Sequence, residues 1–163
     1  MKKILGFTSV LAIIAGTIMI IGGLWGIVFT YKNVARENIT TPDDASIPSS
    51  PVRGPLTLHS QAEIIREHVL HTTNGLMYSE MPQKIAKLDQ AGHAILDENG
   101  EPVMVSNDAR SIWITATTLI TALHLGIITY VFSGLIVLLG LISIWTGIIF
   151  RILKKRFFPA SAN

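Results

Sequence analysis

Apolar positions along this chain fall into two long blocks, Ile4–Phe29 and Ile112–Phe150, with a polar middle between them. The first block, Ile4 to about Tyr31, exceeds the ~20 residues a helix needs to cross ~30 Å of hydrocarbon. Trp25 and Tyr31 sit toward its far end, where amphipathic rings settle at headgroup level. The second block is far longer than one span, yet it contains no polar turn that would divide it in two. It predicts one continuous helix from about Asp108 to Arg156, with its first turns projecting beyond the membrane. That projecting part is amphipathic, with Arg110, Thr117, Thr121 and His124 on one side and Ile112 and Leu119 on the other. Neither span carries a charge in its hydrocarbon portion, which argues against an ion or proton path through this chain alone.

The polar middle predicts smaller elements. Residues 40–57 hold Pro42, Pro48, Pro51 and Pro55, a density that disfavours helix and ladder pairing and predicts an extended linker. Ser60-Gln61-Ala62-Glu63 has the form of a capping box and Asn74-Gly75 that of a helix stop, so a helix is expected over 61–73. Ala62, Ile65 and Val69 share one of its faces. A short repeat, L-D-x-x-G-x-x-[IV], then runs twice, from Leu88 to Ile95 and from Leu96 to Val103. Asn99-Gly100 between two apolar triplets reads as a β-hairpin at about 93–105, and Asp89 and Asp97 read as turn residues.

Together these elements define a mainly α membrane fold. It is a two-span antiparallel transmembrane helix hairpin whose extracytoplasmic segment holds one short helix and a small β-hairpin. The expected parts are a first transmembrane helix over 1–31, an extracytoplasmic segment over 32–107, a long helix over 108–156 and a cytoplasmic tail over 157–163.

Charge gives that hairpin a direction. All eleven acidic residues lie between Glu37 and Asp108, and six of the thirteen basic residues are terminal: Lys2, Lys3, Arg151, Lys154, Lys155 and Arg156. Basic residues beside span ends stay preferentially in the cytoplasm. Both termini are therefore expected on the cytoplasmic side, with residues about 32–125 outside. The run after Lys2-Lys3 is about twice as long as a secretory h-region and lacks a small-x-small cleavage site, so it reads as an uncleaved anchor. Without cysteine, the chain can form neither disulfides nor thiolate zinc sites. The sequence pI near 9.0 comes from two short basic ends, and no basic patch interleaved with aromatics points to nucleic acid.

The strongest pattern is a seven-residue recurrence of small side chains. Ser9, Gly16 and Gly23 mark the first span, and Gly126, Ser133, Gly140 and Gly147 the second. Seven residues return nearly to the same helix direction, so each set forms one stripe. At ~1.5 Å per residue the second stripe runs about 31 Å, the hydrocarbon thickness. Lipid offers little hydrophobic drive between helices, so small residues contribute close backbone approach. The two stripes are expected to pack on each other or on another subunit.

Candidate chemistry is sparse. Glu67 and His71 lie one turn apart on the short helix and are weak metal-ligand candidates. Glu63 extends their row, but its distance from His71 (~12 Å) excludes a shared ion. No metal, cofactor or catalytic set is expected. Arg151, Lys154, Lys155 and Arg156 would bind anionic lipid headgroups at about 1 kcal/mol each.

The run Gly54-Pro55-Leu56-Thr57-Leu58-His59-Ser60-Gln61-Ala62-Glu63-Ile64-Ile65, followed by Thr72-Thr73-Asn74-Gly75 and Tyr78-Ser79-Glu80-Met81, resembles small two-span actinobacterial membrane proteins of unknown function. Members often carry the label "aromatic ring-opening dioxygenase", whose usual two-His-one-carboxylate iron site is not discernible in these residues. The resemblance implies a Gram-positive-type plasma membrane and brings no catalytic residues. The expectation is a non-enzymatic accessory or scaffold subunit of a larger membrane complex, with a respiratory assembly as one candidate. The alternative is a homo-oligomeric sensor or organiser whose outer segment binds a ligand or envelope component. Expected partners are membrane lipids and other subunits or further copies of the chain.

Overall fold

A computed structural model of the protein describes residues 2–157. The expected tail over 157–163 therefore lies outside the described residues except for Phe157. The fold is mainly helical, in the order α1 (Lys2–Arg36), α2 (Pro55–Thr72), β1 (Lys84–Ala86), β2 (Met104–Ser106) and α3 (Asp108–Phe157). The chain divides into two compact units. One is built from α1, the Pro51–Pro55 strip and α3 from Leu125 onward, and the other from Thr40–Ser50 and Leu56–His124.

Helices α1 and α3 are long and apolar enough to cross a membrane, each with a mean hydropathy of 2.5 over its best 18-residue window. In the first unit they are antiparallel and held along a narrow strip. Ser9, Gly16, Gly23 and Thr30 are buried on α1, and Ser133, Gly140 and Gly147 on α3. Large side chains such as Phe7, Ile18, Trp25, Val131 and Phe132 point away from it and are exposed. The hydroxyls of Thr17, Thr129 and Thr146 each donate to the carbonyl four residues earlier. They thus lose their hydrogen-bonding demand inside the helix, as an apolar medium requires. The Pro51–Pro55 strip ties into this unit through Arg53. Its guanidinium donates to the Tyr31 hydroxyl at 3.3 Å, and its carbonyl accepts from the Tyr130 hydroxyl at 2.6 Å.

The second unit has its own small core of Leu58, Ala62, Ile64, Val69, Met81, Ala116 and Leu123. Its helix α2 begins at Pro55, six residues before the expected start, because proline is well suited to the first helical position, where its missing N–H is not needed. Ser60 is therefore an interior, buried residue and not a cap. Its Oγ accepts from the Ile47 amide and the Ser46 hydroxyl, both at 2.9 Å. The linker expected to be extended is folded over Thr41–Ser50 instead. The Thr41 amide donates to the Ser50 carbonyl at 3.0 Å, and the Ser50 amide to Thr41 Oγ1 at 2.9 Å. The helix ends where Asn74 takes a left-handed φ of 52°. The Asn74 and Gly75 amides return to the carbonyls of His71 and Leu70, a Schellman closure.

The strand pairing differs from the hairpin expected at about 93–105. Strand β2 pairs antiparallel with β1, matching Lys84 to Ser106, Ile85 to Val105 and Ala86 to Met104. The Asn99-Gly100 turn closes only a single bridge, Leu96 to Pro102. The reason lies at Val103, whose N–H donates to Ile95 while its carbonyl accepts from Lys87. The strand thus changes partner after one residue pair. Ile95 in turn donates to the Lys87 carbonyl, so Lys87, Ile95 and Val103, eight residues apart, close a ring of backbone hydrogen bonds at 2.7–2.8 Å. The sequence repeat builds two matching turns on this ring. Asp89 Oδ1 accepts from the amides of Ala91 and His93, and Asp97 Oδ1 from those of Asn99 and Glu101. Gly92 and Gly100 hold equivalent left-handed φ values of 84° and 80°.

Candidate functional site: a small-residue helix seam and neighbouring surfaces

The seam in the first unit is the most specific construction in the molecule. Ser9 Oγ donates to the Gly147 carbonyl at 2.7 Å, and Ser143 Oγ to the Ala12 carbonyl at 2.9 Å. A Cβ added to Gly16 would lie 2.5 Å from the Gly140 carbonyl oxygen, and one on Gly140 would lie 2.7 Å from that of Gly16. A Cβ on Gly23 would meet the Ser133 carbonyl at 2.7 Å. Facing residues therefore climb by seven on α1 as they fall by seven on α3, the heptad register of antiparallel helices. One further heptad brings Thr30, which is buried, to the level of the half-buried Gly126. Backbone approaches backbone at each step, so dispersion and side-chain-to-carbonyl bonds replace interlocked large side chains.

Thr30 and Ser143 also belong to this seam, beyond the positions marked by the sequence stripes. The signal for Thr30 was available, because it continues the seven-residue spacing of Ser9, Gly16 and Gly23. Ser143 lies outside that spacing and had none. Gly22 and Gly134 are different again, since an added Cβ at either would meet no atom within 4 Å.

Glu67 and His71 are both exposed on α2. Among the described residues no group of three or more His, Asp or Glu side chains is placed to hold a metal ion. The neighbouring titratable groups pair otherwise: His59 faces Glu63 at 3.3 Å, and His68 Nε2 lies 2.7 Å from Asp44 Oδ2. The hydrogen bond to His68 holds the Asp44 carboxyl below its usual range. Beside that pair, Ile65, Val69, Ile112, Ala116 and Leu119 line an apolar groove of about 420 Å³ between α2 and the start of α3.

Arg110, on the polar side of α3's first turns, clamps the loop before it. Its Nη1 donates to the carbonyls of Tyr78 and Met81, and its guanidinium sits 3.8 Å above the Tyr78 ring. Asn107 starts α3 beside it, with Oδ1 accepting from the Ala109 amide and Nδ2 donating to the Pro82 carbonyl. Of the four basic residues expected at lipid headgroups, Arg151, Lys155 and Arg156 are exposed. Lys154 is half-buried, with its ammonium over Gly6.

These features define a protein with two paired apolar helices and a small polar unit braced by local hydrogen bonds. Comparison of the chain with protein-family profiles, curated proteins and solved structures finds no match.

Proposed function

We propose that the chain is an integral membrane protein acting as a non-catalytic accessory or scaffold subunit of a larger complex in a bacterial plasma membrane. One observation carries this reading. Only 11% of the most apolar window of each long helix is buried within the chain, whereas the core helix of a soluble protein is mostly buried. Everything but the small-residue strip is left for lipid or for other helices to cover. The positive ends of the chain favour cytoplasmic termini and an outer location for the acidic middle. The outer unit spends its conspicuous polar groups on bracing itself: Asp89 and Asp97 on turns, Ser60 on the linker and Arg110 on a loop.

A second reading, a homo-oligomeric sensor or organiser, draws on Gly22 and Gly134. Their open surroundings leave room for another helix at close range, and that helix can belong to a second copy. Alkaline carbonate washing of native membranes tests the shared premise, since a spanning protein stays in the pellet. Mild-detergent purification followed by native mass measurement then separates the readings. Stoichiometric foreign subunits support the accessory role, a clean multiple of 17.8 kDa supports self-assembly, and a bare monomer overturns both.

A further inference from the structure

At the end of the seam where α1 begins, Gly6, Ser9, Val10, Ile13, Arg151 and Lys154 line a cavity of about 250 Å³. Its two chemical halves are separate. Arg151 and Lys154 supply cationic donors, while Gly6, Val10 and Ile13 give an α1 face that is open at Gly6 and apolar beyond it. Ser9 offers no donor, because its hydroxyl proton is committed to the Gly147 carbonyl. The missing side chain at Gly6 is what admits the Lys154 head: a Cβ there would lie 2.5 Å from Nζ.

Among the described residues no carboxylate side chain of α1 or α3 neutralises the site. α1 contains no Asp or Glu, and α3 has none after Asp108, more than forty residues from Arg151. That distance along a helix is about 60 Å. Lys2, Lys3, Lys155 and Arg156 add to the same positive end. A cavity with cations on one side and an apolar wall on the other, with no carboxylate side chain beside it among the described residues, is complementary to an amphiphilic anion.

We propose that this cavity seats one anionic phospholipid, its phosphate held between Arg151 and Lys154 and its acyl chain laid along Val10 and Ile13. The proposal rests on the membrane-spanning reading. It also separates the four basic residues near the end of α3: Arg151 and Lys154 make the seat, and Lys155 and Arg156 contribute only the general surface field. Such a lipid would close the end of the helix pair beyond the Ser9–Gly147 contact.

Native mass spectrometry of the full chain in neutral detergent, with added phosphatidylglycerol or phosphatidylcholine of matched acyl chains, tests it. A one-lipid adduct selective for phosphatidylglycerol is expected, and excess inorganic phosphate should not displace it. Arg151→Gln with Lys154→Gln should weaken the adduct by roughly tenfold or more, from two lining cations at about 1 kcal/mol each, whereas Lys155→Gln with Arg156→Gln should change it by less than roughly threefold, because neither lines the cavity and exposed charges at a distance are screened. Gly6→Ile keeps every charge and fills the cavity, so it should also lose the adduct while the protein still folds. Equal losses from both double variants would reduce the effect to surface charge and overturn the seat. Equal binding of phosphatidylcholine, retention in Gly6→Ile, or displacement by inorganic phosphate would overturn it as well. A protein that resists carbonate washing but shows no lipid selectivity defeats this inference alone, whereas one released by the wash defeats the membrane reading beneath it.

Discussion

The two units hold together by opposite means. In the first, the contact is made by what is absent: Gly16, Gly23, Gly140 and Gly147 bring backbones together, and a single added carbon has nowhere to go. In the second, polar side chains reach across loops to named backbone groups, as Ser60 does to Ile47 and Arg110 does to Tyr78 and Met81. The difference follows from the surroundings each unit suits. Where water cannot compete, a smooth seam gains dispersion and leaves no polar group exposed. A short polar unit in water has little apolar area to bury, so specific hydrogen bonds to buried partners determine its loop conformations. The first unit should therefore fail by wedging, and the second by loss of single tethers.

The largest expected effect tests the wedge directly. Gly16→Val or Gly140→Val forces the facing carbonyl and Ile144 or Ile20 aside and should cost about 3 kcal/mol of helix-pair stability. Gly22→Val, in the same helix with no atom near its Cβ position, should leave that stability unchanged. Unfolding of the reconstituted protein in graded denaturing detergent measures both. Equal sensitivity at Gly16 and Gly22 would break the distinction between a fitted seam and generally glycine-rich helices.

In the second unit Arg110→Ala should be the most damaging single change, at about 2 kcal/mol. It removes two hydrogen bonds to carbonyls and the stack on Tyr78. Arg110→Lys should not restore full stability, because an ammonium lacks the planar face. Protease cleavage within residues 77–82 reports the freed loop. Ser60→Ala comes next, at about 1–2 kcal/mol, since it leaves the half-buried Ile47 amide without its acceptor. Faster amide hydrogen exchange at Ile47, with no change in the seam, is the expected signature.

How far each unit could be read from sequence follows the same divide. The seam was legible because it repeats: every seventh residue is small, and a helix converts that spacing into a line without tertiary information. Even so, the stripes alone left two possible partners, and they could not reveal Ser143, which bonds from outside the spacing. The second unit was legible only at its local signals. Asn74-Gly75 ends α2, and the twin Asp turns follow the repeat. The role of Ser60 was misread because its pattern fits a cap, while Pro55 starts the helix earlier and turns Ser60 inward. The pairing of β2 with β1 depends on Val103 changing partners, a long-range choice with no short-range mark.

The smallest expected effect sharpens the comparison through pH. The seam's contacts come from Gly, Ser and aliphatic residues, which have nothing to titrate, so its stability should stay constant through the acid range. The Asp44–His68 pair lies on the exposed surface of the second unit, and its hydrogen bond lowers the Asp44 pKa below the ordinary 3.8. A lowered carboxyl pKa means that the folded state favours the ionised form. Its contribution is therefore present above that ordinary value and is lost as pH falls through the lowered one. In His68→Gln the hydrogen-bonding imidazole is gone, and the Asp44 carboxyl should titrate closer to 3.8, followed by its carboxyl carbon resonance in a pH series. Thermal stability of the whole protein should barely move, because both side chains are more than half exposed. An Asp44 titration indifferent to His68→Gln would remove the pair from the tethers of the second unit, whereas acid-dependent loosening of the seam would undo the contrast between the units.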